Sequence, residues 1–317
     1  MVKHLKSRER VVVVDGVVAV AGYLVQDLIE KYDSIVAVDP ELADIYMEYA
    51  IDSPWFKLVE ITHTDELLAE LIEAKYILDN QKKPLLLLCG EKPRECHYLL
   101  LLHLLNKKPL EEAGSYVNNT IKQIFPNYRE QQVVDELRVV EDVGRHLSWK
   151  KLYTLYSLSA SYGYGRGRAH LSKTLYFAYI LRKYSNNVPL LYTLTLLHTL
   201  LEDKSGEKPA KIYKYRRELI ESITAEIDPL NYREINNAVK RISEAKAVSR
   251  EEAITLIACT LALSTVERID VQKDKLLVLK CQDAKKCLKP AEDLKQLIQV
   301  VGISKITYTE EAISGNK

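Results

Sequence analysis

The sequence has no long apolar run. No stretch reaches the roughly 18 to 20 uncharged apolar residues of a membrane span, since the run at 85–88 ends at a charged loop and the run at 98–105 contains His103. The basic residues 1–10 lead through four valines to Asp15 and Gly16, with no signal-peptide apolar segment. We therefore expect a cytoplasmic protein without a membrane partner.

Cysteine and methionine are also scarce. The 317 residues include five cysteines and two methionines, and no C-x-x-C pair. An odd and sparse set is unlike the disulfide framework of a small secreted protein, so we expect reduced thiols. Beside abundant Lys, Glu and Tyr, this scarcity is a compositional sign of a thermophilic source.

The overall composition is that of a globular protein. Apolar residues make up 47% and charged residues 28%, which excludes a disordered or fibrous chain. At about 150 residues per domain the length suggests two domains. The change in pattern along the chain places them at 1–142 and 143–317.

The first domain alternates strand-like and helix-like segments. Short apolar runs occur at 11–14, 34–38, 57–61 and 85–88, with helical periodicity after each. Continuous apolar strands separated by helices imply a parallel sheet covered on both faces. The sequence thus predicts a Rossmann-like α/β domain at 1–142.

The second domain is predicted to be mostly helical. From about residue 115 strand signals become rare, and Ser249 with Glu252 forms a capping box that begins a helix at 249–266. The stretches 275–281 and 306–308 are candidates for a small terminal β element. The predicted helices are 115–125, 128–140, 148–160, 169–184, 188–203, 211–226, 231–246 and 249–266.

Charge is distributed unevenly along the chain. Residues 1–142 have a net charge of −9 and residues 202–317 one of +2, whereas 143–201 contains no acidic residue and has a net charge of +8. Eight tyrosines are interleaved with these cations. Uncompensated cations attract phosphates, and tyrosine offers a stacking face and a hydroxyl donor. The predicted anion-binding residues are Lys92, Arg166, Arg168, His170, Lys173, Arg182 and Lys183. The alternative is that acidic surface from elsewhere covers them.

A cysteine at the end of a predicted strand is the sharpest local feature. Cys89 ends the apolar run at 85–88, and a tight loop and a helix follow it. Amide groups and the positive end of a helix dipole stabilise a thiolate or bind an oxyanion, and Lys92 and Arg94 add positive charge. One hypothesis therefore makes Cys89 and Arg94 catalytic. One alternative is that the loop is a structural turn. Another is a metal site of Cys89, Cys96, His97 and His103, but their spacing is not that of a zinc knuckle, so we predict no metal.

Residues 85–105 resemble a family of small uncharacterised α/β domains with the pattern C-x-E-K…C-H-R, which is distantly similar to rhodanese-like sulfurtransferases and cysteine-dependent phosphatases. An arginine of the pattern is replaced by Tyr98. A phosphatase loop also needs arginine six positions after the cysteine, where Glu95 stands. Arg94 comes one residue early, which matches the loop length of a sulfurtransferase. The matching residues are Cys89, Glu91, Lys92, Cys96 and His97.

The first predicted strand and the loop after it are similar in outline to Rossmann domains that bind nucleotides or S-adenosylmethionine. Asp39 ends the second strand, where such domains place an acidic residue on the ribose. Asp15 and Gly16 lie in the first loop, but bulky valines separate Gly16 from Gly22, and the G-x-G core is missing. Asp15, Gly16 and Asp39 are candidate cofactor-binding residues, and the identity of a cofactor is unknown.

Residues 160–281 resemble the helical HD-type domain of exopolyphosphatases, on the segments 162–170, 190–199 and 255–281. A metal-dependent HD enzyme requires Asp after its second histidine, whereas Thr199 follows His198 here, and a neutral hydroxyl is a poor substitute. Glu202 and Asp203, one turn further, are the alternative carboxylates. The resemblance implies a helical fold with an anion-binding groove and no hydrolysis.

Each catalytic pattern lacks an essential member, which favours binding over catalysis. The predicted function is binding of a phosphate-rich ligand, such as nucleic acid, a nucleotide or polyphosphate, through the basic segment. A cysteine-dependent sulfurtransferase or phosphatase-like enzyme and a scaffold subunit of a protein complex are the alternatives. The oligomeric state is left open.

Overall fold

The computed structural model describes residues 10–22, 29–47, 55–62, 66–129, 135–162, 168–202, 206–272, 275–281 and 284–310. The chain divides into two compact units, residues 1–141 and 142–317. The boundary falls inside the helix Asp135–Leu147.

The first unit contains a five-stranded sheet with mostly parallel strands, which confirms the predicted α/β class. Its described elements are β1 (Arg10–Val14), β2 (Val17–Ala21), β3 (Ser34–Ala37), α1 (Pro40–Ile45), β4 (Phe56–Leu58), α2 (Leu67–Asp79), β5 (Leu85–Gly90), α3 (Pro93–Leu104) and α4 (Leu110–Ile124). The strand order is β1-β2-β5-β3-β4. Among the described strands of this unit, β1 and β2 pair antiparallel and the other three neighbouring pairs are parallel.

β1 and β2 form a hairpin, where the sequence predicts a strand followed by a helical stretch reaching Lys31. Asp15 and Gly16 make the turn with φ of 48° and 82°. Two positive φ angles match the twist of a two-residue hairpin turn, for which Asp-Gly is a preferred sequence. The β-branched residues of 17–20 then favour a strand over a helix. The predicted helical stretch is therefore wrong for 17–21, and its residues 23–28 lie outside the described part.

β5 is the central strand of the sheet. It lies between β2 and β3 and all six of its residues are buried. Leu86 and Leu88 pack in one core with Ile35 and Leu42, while Leu85 and Leu87 project to the opposite face. α3, which follows β5, packs against α2 and α4. The carboxyl end of β5 is thus fixed at the middle of the sheet.

The second unit is mostly helical and includes the last part of α5. Its elements are α5 (Asp135–Leu147), α6 (Trp149–Tyr162), α7 (Arg168–Leu181), a 3₁₀ turn (Arg182–Tyr184), α8 (Val188–Thr199), α9 (Pro209–Ile227), α10 (Tyr232–Ser243), α11 (Arg250–Ala262), β6 (Val266–Val271), β7 (Leu276–Cys281), α12 (Ala284–Asp293), α13 (Lys295–Val301) and β8 (Lys305–Glu310). β7 pairs with both β6 and β8. The strand β6 begins where the sequence predicts the end of a helix.

α11 is the central helix of this unit and packs against α7, α8 and α10. The predicted capping box at its start is confirmed, since Ser249 Oγ accepts a hydrogen bond from the Glu252 amide at 3.2 Å. The carboxylate of Glu252 reaches back to the amide of Val248 at 3.0 Å and also binds Arg241. The cap therefore fixes the register of α11, which carries the buried Thr255 and Cys259.

Candidate functional site

A large cavity lies in the first unit at the carboxyl ends of β2 and β5. It has a volume of about 1090 Å³. Gly22 and Gly90 form its floor, and the Gly22 amide donates to the Gly90 carbonyl at 3.1 Å. The lining residues within the described ranges are Arg10, Ala21, Gly22, Gly90, Glu91, Pro93, Arg94, Ile124, Phe125, Pro126, Asn127, Tyr128 and Arg129.

Local backbone geometry shapes one wall of this cavity. Gly90 has φ of +52°, and a Cβ there would lie 2.7 Å from Oδ2 of Asp39. Only glycine fits such a turn against a neighbouring strand end. The Lys92 amide then donates to the Cys89 carbonyl at 2.9 Å, and Pro93 begins α3. The chain turns from strand to helix within a few residues, so the loop and the helix start both face the cavity.

Three arginines give the cavity positive charge. Arg10 donates to the carbonyl of Ile124 at 3.1 Å, and Arg129 is exposed. Arg94 Nη2 lies 3.5 Å from the carbonyl of Ile61 and 3.4 Å from the carboxylate of Glu95. Among the described lining residues one carboxylate, Glu91, opposes them, so this part of the lining has a net charge of +2. The arrangement suits an anionic ligand.

An aromatic side of the cavity is fixed by a buried histidine. Tyr128 lines the cavity, and its hydroxyl lies 3.0 Å from Nδ1 of His97 on α3. The two rings meet edge to face with centroids 5.5 Å apart. The tyrosine ring is thereby held in place beside Phe125, which also lines the cavity.

Sequence reasoning finds only part of this site. The sequence predicts a role for Arg94 and the loop after Cys89, whereas it gives Arg10, Gly22, Tyr128 and Arg129 no role in a site. Lys92 is exposed beside the cavity but does not line it. Arg10 and Gly22 lie more than a hundred residues from Tyr128 and Arg129, and the four belong to no motif. The sequence signal near Tyr128 is the turn-forming pair Pro126-Asn127 after α4.

Cys89 does not occupy the position of a free nucleophile. It is bonded to Cys96, and both residues are fully buried. A second disulfide joins Cys281 to Cys287, and the free Cys259 is buried, which raises the pKa of its thiol well above the ordinary value. The expectation of reduced thiols is therefore wrong for four of the five cysteines. A thiol engaged in a disulfide cannot attack a substrate.

The candidate cofactor residues do not come together. Asp15 and Gly16 form the hairpin turn at the amino end of β2, and the length of β2 puts roughly 17 Å between them and the cavity edge. The Asp15 carboxylate pairs with Lys107, whose hydrogen bond lowers its pKa. Asp39 is buried after the carboxyl end of β3. It is the N-cap of α1, and its side chain accepts a hydrogen bond from the Glu41 amide at 3.2 Å. The structure therefore does not bring all three residues together at one place.

The basic segment is more neutralised than its sequence indicates. Arg182 Nε lies 3.0 Å from Oδ2 of Asp142, and its guanidinium lies over the ring of Tyr179 at 3.8 Å. Lys183 is exposed, with Nζ 3.5 Å from the carbonyl of Val271. Lys173 is half-buried on α7. Arg166 and the side chain of Arg168 lie outside the described residues.

His170 belongs to a buried polar cluster. Its Nε2 lies 2.8 Å from Oε2 of Glu202, and Nδ1 of His198 lies 3.3 Å from Oε1. Burial raises the pKa of Glu202, but hydrogen bonds from the two histidines outweigh it and hold the pKa at about 2. Thr199 Oγ1 donates to the carbonyl of Leu196 at 2.6 Å. Within the described ranges no group of three or more His, Cys, Asp or Glu residues is arranged to hold a metal ion.

Comparison of the chain with protein-family models, curated proteins and solved structures found no match. The three resemblances noted in the sequence therefore rest on the quoted residues alone. In the part of the chain that the structure describes, every helix is too short or too polar to cross a membrane.

Proposed function

We propose that residues 1–141 bind a small phosphate-bearing ligand, of nucleotide size, in the cavity at the carboxyl ends of β2 and β5. The observation that carries the proposal is the convergence of Arg10, Arg94 and Arg129 on this one cavity. Guanidinium groups bind phosphate through two parallel hydrogen bonds, which a lysine cannot reproduce.

The position of the cavity supports the proposal. Ligands of open α/β sheets bind outside the carboxyl ends of the parallel strands, and Rossmann-like domains place their ligands there. Small-molecule sites usually measure about 300 to 1,000 Å³. A cavity of about 1090 Å³ has room for more than an isolated phosphate. Phe125 and Tyr128 offer faces for a planar group.

The charge contrast within the unit also supports an anion. Residues 1–141, with 16 basic and 24 acidic residues, have a net charge of −8, yet the described lining of the cavity has one of +2. A cationic cleft in an acidic surface attracts an anion locally and repels an extended polyanion elsewhere. We therefore favour a nucleotide-sized ligand over nucleic acid. The proposal assigns no catalytic step, because Cys89 is engaged in a disulfide.

The test is isothermal titration calorimetry of the full chain with pyrophosphate and with ADP. We expect both to bind, with affinity that falls as salt screens the arginines. Arg129→Gln and Arg94→Gln should each weaken binding about tenfold, since one charge-assisted contact contributes about 1.5 kcal/mol or more. Arg138→Gln is the matched control, because Arg138 is an exposed arginine of the same unit outside the cavity.

Two results would overturn the proposal. One is that neither anion binds at millimolar concentration. The other is that Arg138→Gln weakens binding as much as Arg129→Gln, which would indicate general attraction to surface charge.

A further inference from the structure

The disulfide Cys89–Cys96 closes the loop that forms one wall of the cavity. Cys89 lies in β5, and Cys96 lies in the first turns of α3. Between them, Gly90, Glu91, Pro93 and Arg94 all line the cavity. The bond therefore ties together the strand end and the helix start that hold Arg94 in place.

Because the wall is closely packed, its structure depends on whether the two sulfurs form a disulfide or are reduced to thiols. Both cysteines are fully buried beside the packed leucines of β5 and α3. Two unbonded sulfurs need a contact distance of roughly 3.5 to 4 Å, and a close-packed interior has little free space for that separation. Glu91 and Lys92 are exposed, so packing constrains this part of the loop less than the buried residues on either side of it. Reduction therefore shifts or loosens the wall rather than the sheet beneath it.

We propose that the redox state of Cys89 and Cys96 regulates anion binding in this cavity, with the disulfide as the high-affinity state. The inference rests on the proposed function of the cavity. A dithiol reductant supplies the two electrons and two protons. Its thiolate attacks one sulfur to form a mixed disulfide, its second thiol displaces the cysteine, and the products are two cysteine thiols and the oxidised, cyclic reductant.

The link between ligand and disulfide acts in both directions. The sulfurs are buried, so a reductant reaches them only when the loop opens. An anion held by Arg94 keeps the loop closed and should slow the reduction. If opening requires release of the ligand, pyrophosphate at ten times its dissociation constant slows reduction about tenfold.

The experiment uses the full chain with Cys281→Ser and Cys287→Ser, which leaves Cys89–Cys96 as its disulfide and Cys259 as its free thiol. Pyrophosphate affinity is measured by calorimetry before and after reduction with dithiothreitol, and circular dichroism checks that the fold is retained. We expect the reduced protein to bind about tenfold more weakly, because a loosened wall must be ordered again on binding. Maleimide labelling of denatured samples measures the reduction rate with and without pyrophosphate.

The outcomes separate this inference from the proposed function. If the oxidised protein does not bind pyrophosphate, the proposed function and the redox inference are both overturned. If it binds but affinity and reduction rate are the same in all states, the cavity binds anions and the redox regulation is overturned. The wild-type chain is a further check, since its Cys281–Cys287 bond lies in the other unit and its reduction should add nothing to the affinity change.

Discussion

The guanidinium of Arg182 is held by the carboxylate of Asp142, with Nε 3.0 Å from Oδ2. The buried hydroxyl of Tyr192 donates to the same oxygen at 2.6 Å. Asp142 immediately precedes the acid-free segment 143–201, and Glu202, which binds His170, immediately follows it. Carboxylates at the two ends of the segment thus fold back onto its interior. A charge count along the sequence therefore overstates the positive field of this segment.

Arg182→Gln should destabilise the second unit without weakening pyrophosphate binding. The pair is mostly shielded from water, with side chains 30% and 20% exposed, and its loss should cost about 1 to 3 kcal/mol. Urea denaturation of Arg182→Gln, Asp142→Asn and the double variant measures the coupling. The two costs should add to more than the cost of the double variant. Lys183→Gln, an exposed neighbour, should be neutral, and strict additivity of the first two would contradict the pairing.

Acid should destabilise the second unit through Glu202. Its carboxylate has a pKa of about 2 in the folded protein against an ordinary 4.5. Because the folded state favours the ionised form, the stabilisation is complete above pH 4.5 and is lost as the pH falls toward 2. The difference in unfolding free energy between the wild type and Glu202→Gln should be about 3 kcal/mol at neutral pH.

The pH dependence separates this role from general acid denaturation. The difference between wild type and Glu202→Gln, measured by urea denaturation, should shrink as the pH falls from about 4.5 to about 2. Glu218→Gln serves as the control, since Glu218 is exposed on α9. A Glu202→Gln penalty that does not change with pH would mean that shape, and not charge, is what the cluster requires.

The sequence predicts those helices and strands whose own residues determine their secondary structure. The leucines of 85–88 are a buried central strand because a continuous apolar run needs cover on both faces, and Ser249 caps a helix as its spacing to Glu252 predicts. The sequence predicts the strand at 11–14 but a helical stretch after it, because the apolar residues after Gly16 also fit a helical period. Asp15-Gly16 is nevertheless a hairpin signal, and the structure has a hairpin at 10–21.

The candidate site lies largely beyond local rules. Arg10 and Arg129 are separated by more than a hundred residues and share the cavity only because the sheet order places β2 beside β5 and α4 against β1. No spacing rule joins them. The Cys89–Cys96 bond likewise depends on the geometry of a strand-to-helix turn, which the seven-residue separation does not reveal.

Two helical glycines should respond to alanine in opposite ways. In α4 a Cβ on Gly114 meets nothing within 4 Å, so Gly114→Ala should stabilise the protein by about 0.5 to 1 kcal/mol through helix propensity. In α5 a Cβ on Gly144 would lie 2.6 Å from the indole of Trp149. Gly144→Ala should therefore destabilise by about 1 to 3 kcal/mol as the ring is displaced. Chemical denaturation followed by tryptophan fluorescence measures both, and two changes of the same sign would contradict the packing of Trp149.

The glycine at the cavity floor links stability to binding. Gly90 and Gly16 both have positive φ, so alanine strains the backbone at each by about 1 to 2 kcal/mol. At Gly16 nothing lies within 4 Å of the added Cβ, whereas at Gly90 it would meet Oδ2 of Asp39 at 2.7 Å and Cδ1 of Leu42 at 3.0 Å. Gly90→Ala should therefore cost about 1 to 3 kcal/mol more than Gly16→Ala, because the clash adds to the strain.

Pyrophosphate titration of the same two variants distinguishes an effect at the cavity floor from an effect at the hairpin turn. Gly16 lies at the opposite end of β2, so Gly16→Ala should keep the wild-type affinity. Gly90→Ala should weaken binding, because the added methyl pushes β5 and the loop that carries Arg94 away from Asp39. A Gly90→Ala variant that is destabilised yet binds normally would show that the ligand does not contact this end of β5. Equal loss of affinity in both variants would instead point to loosening of the whole sheet.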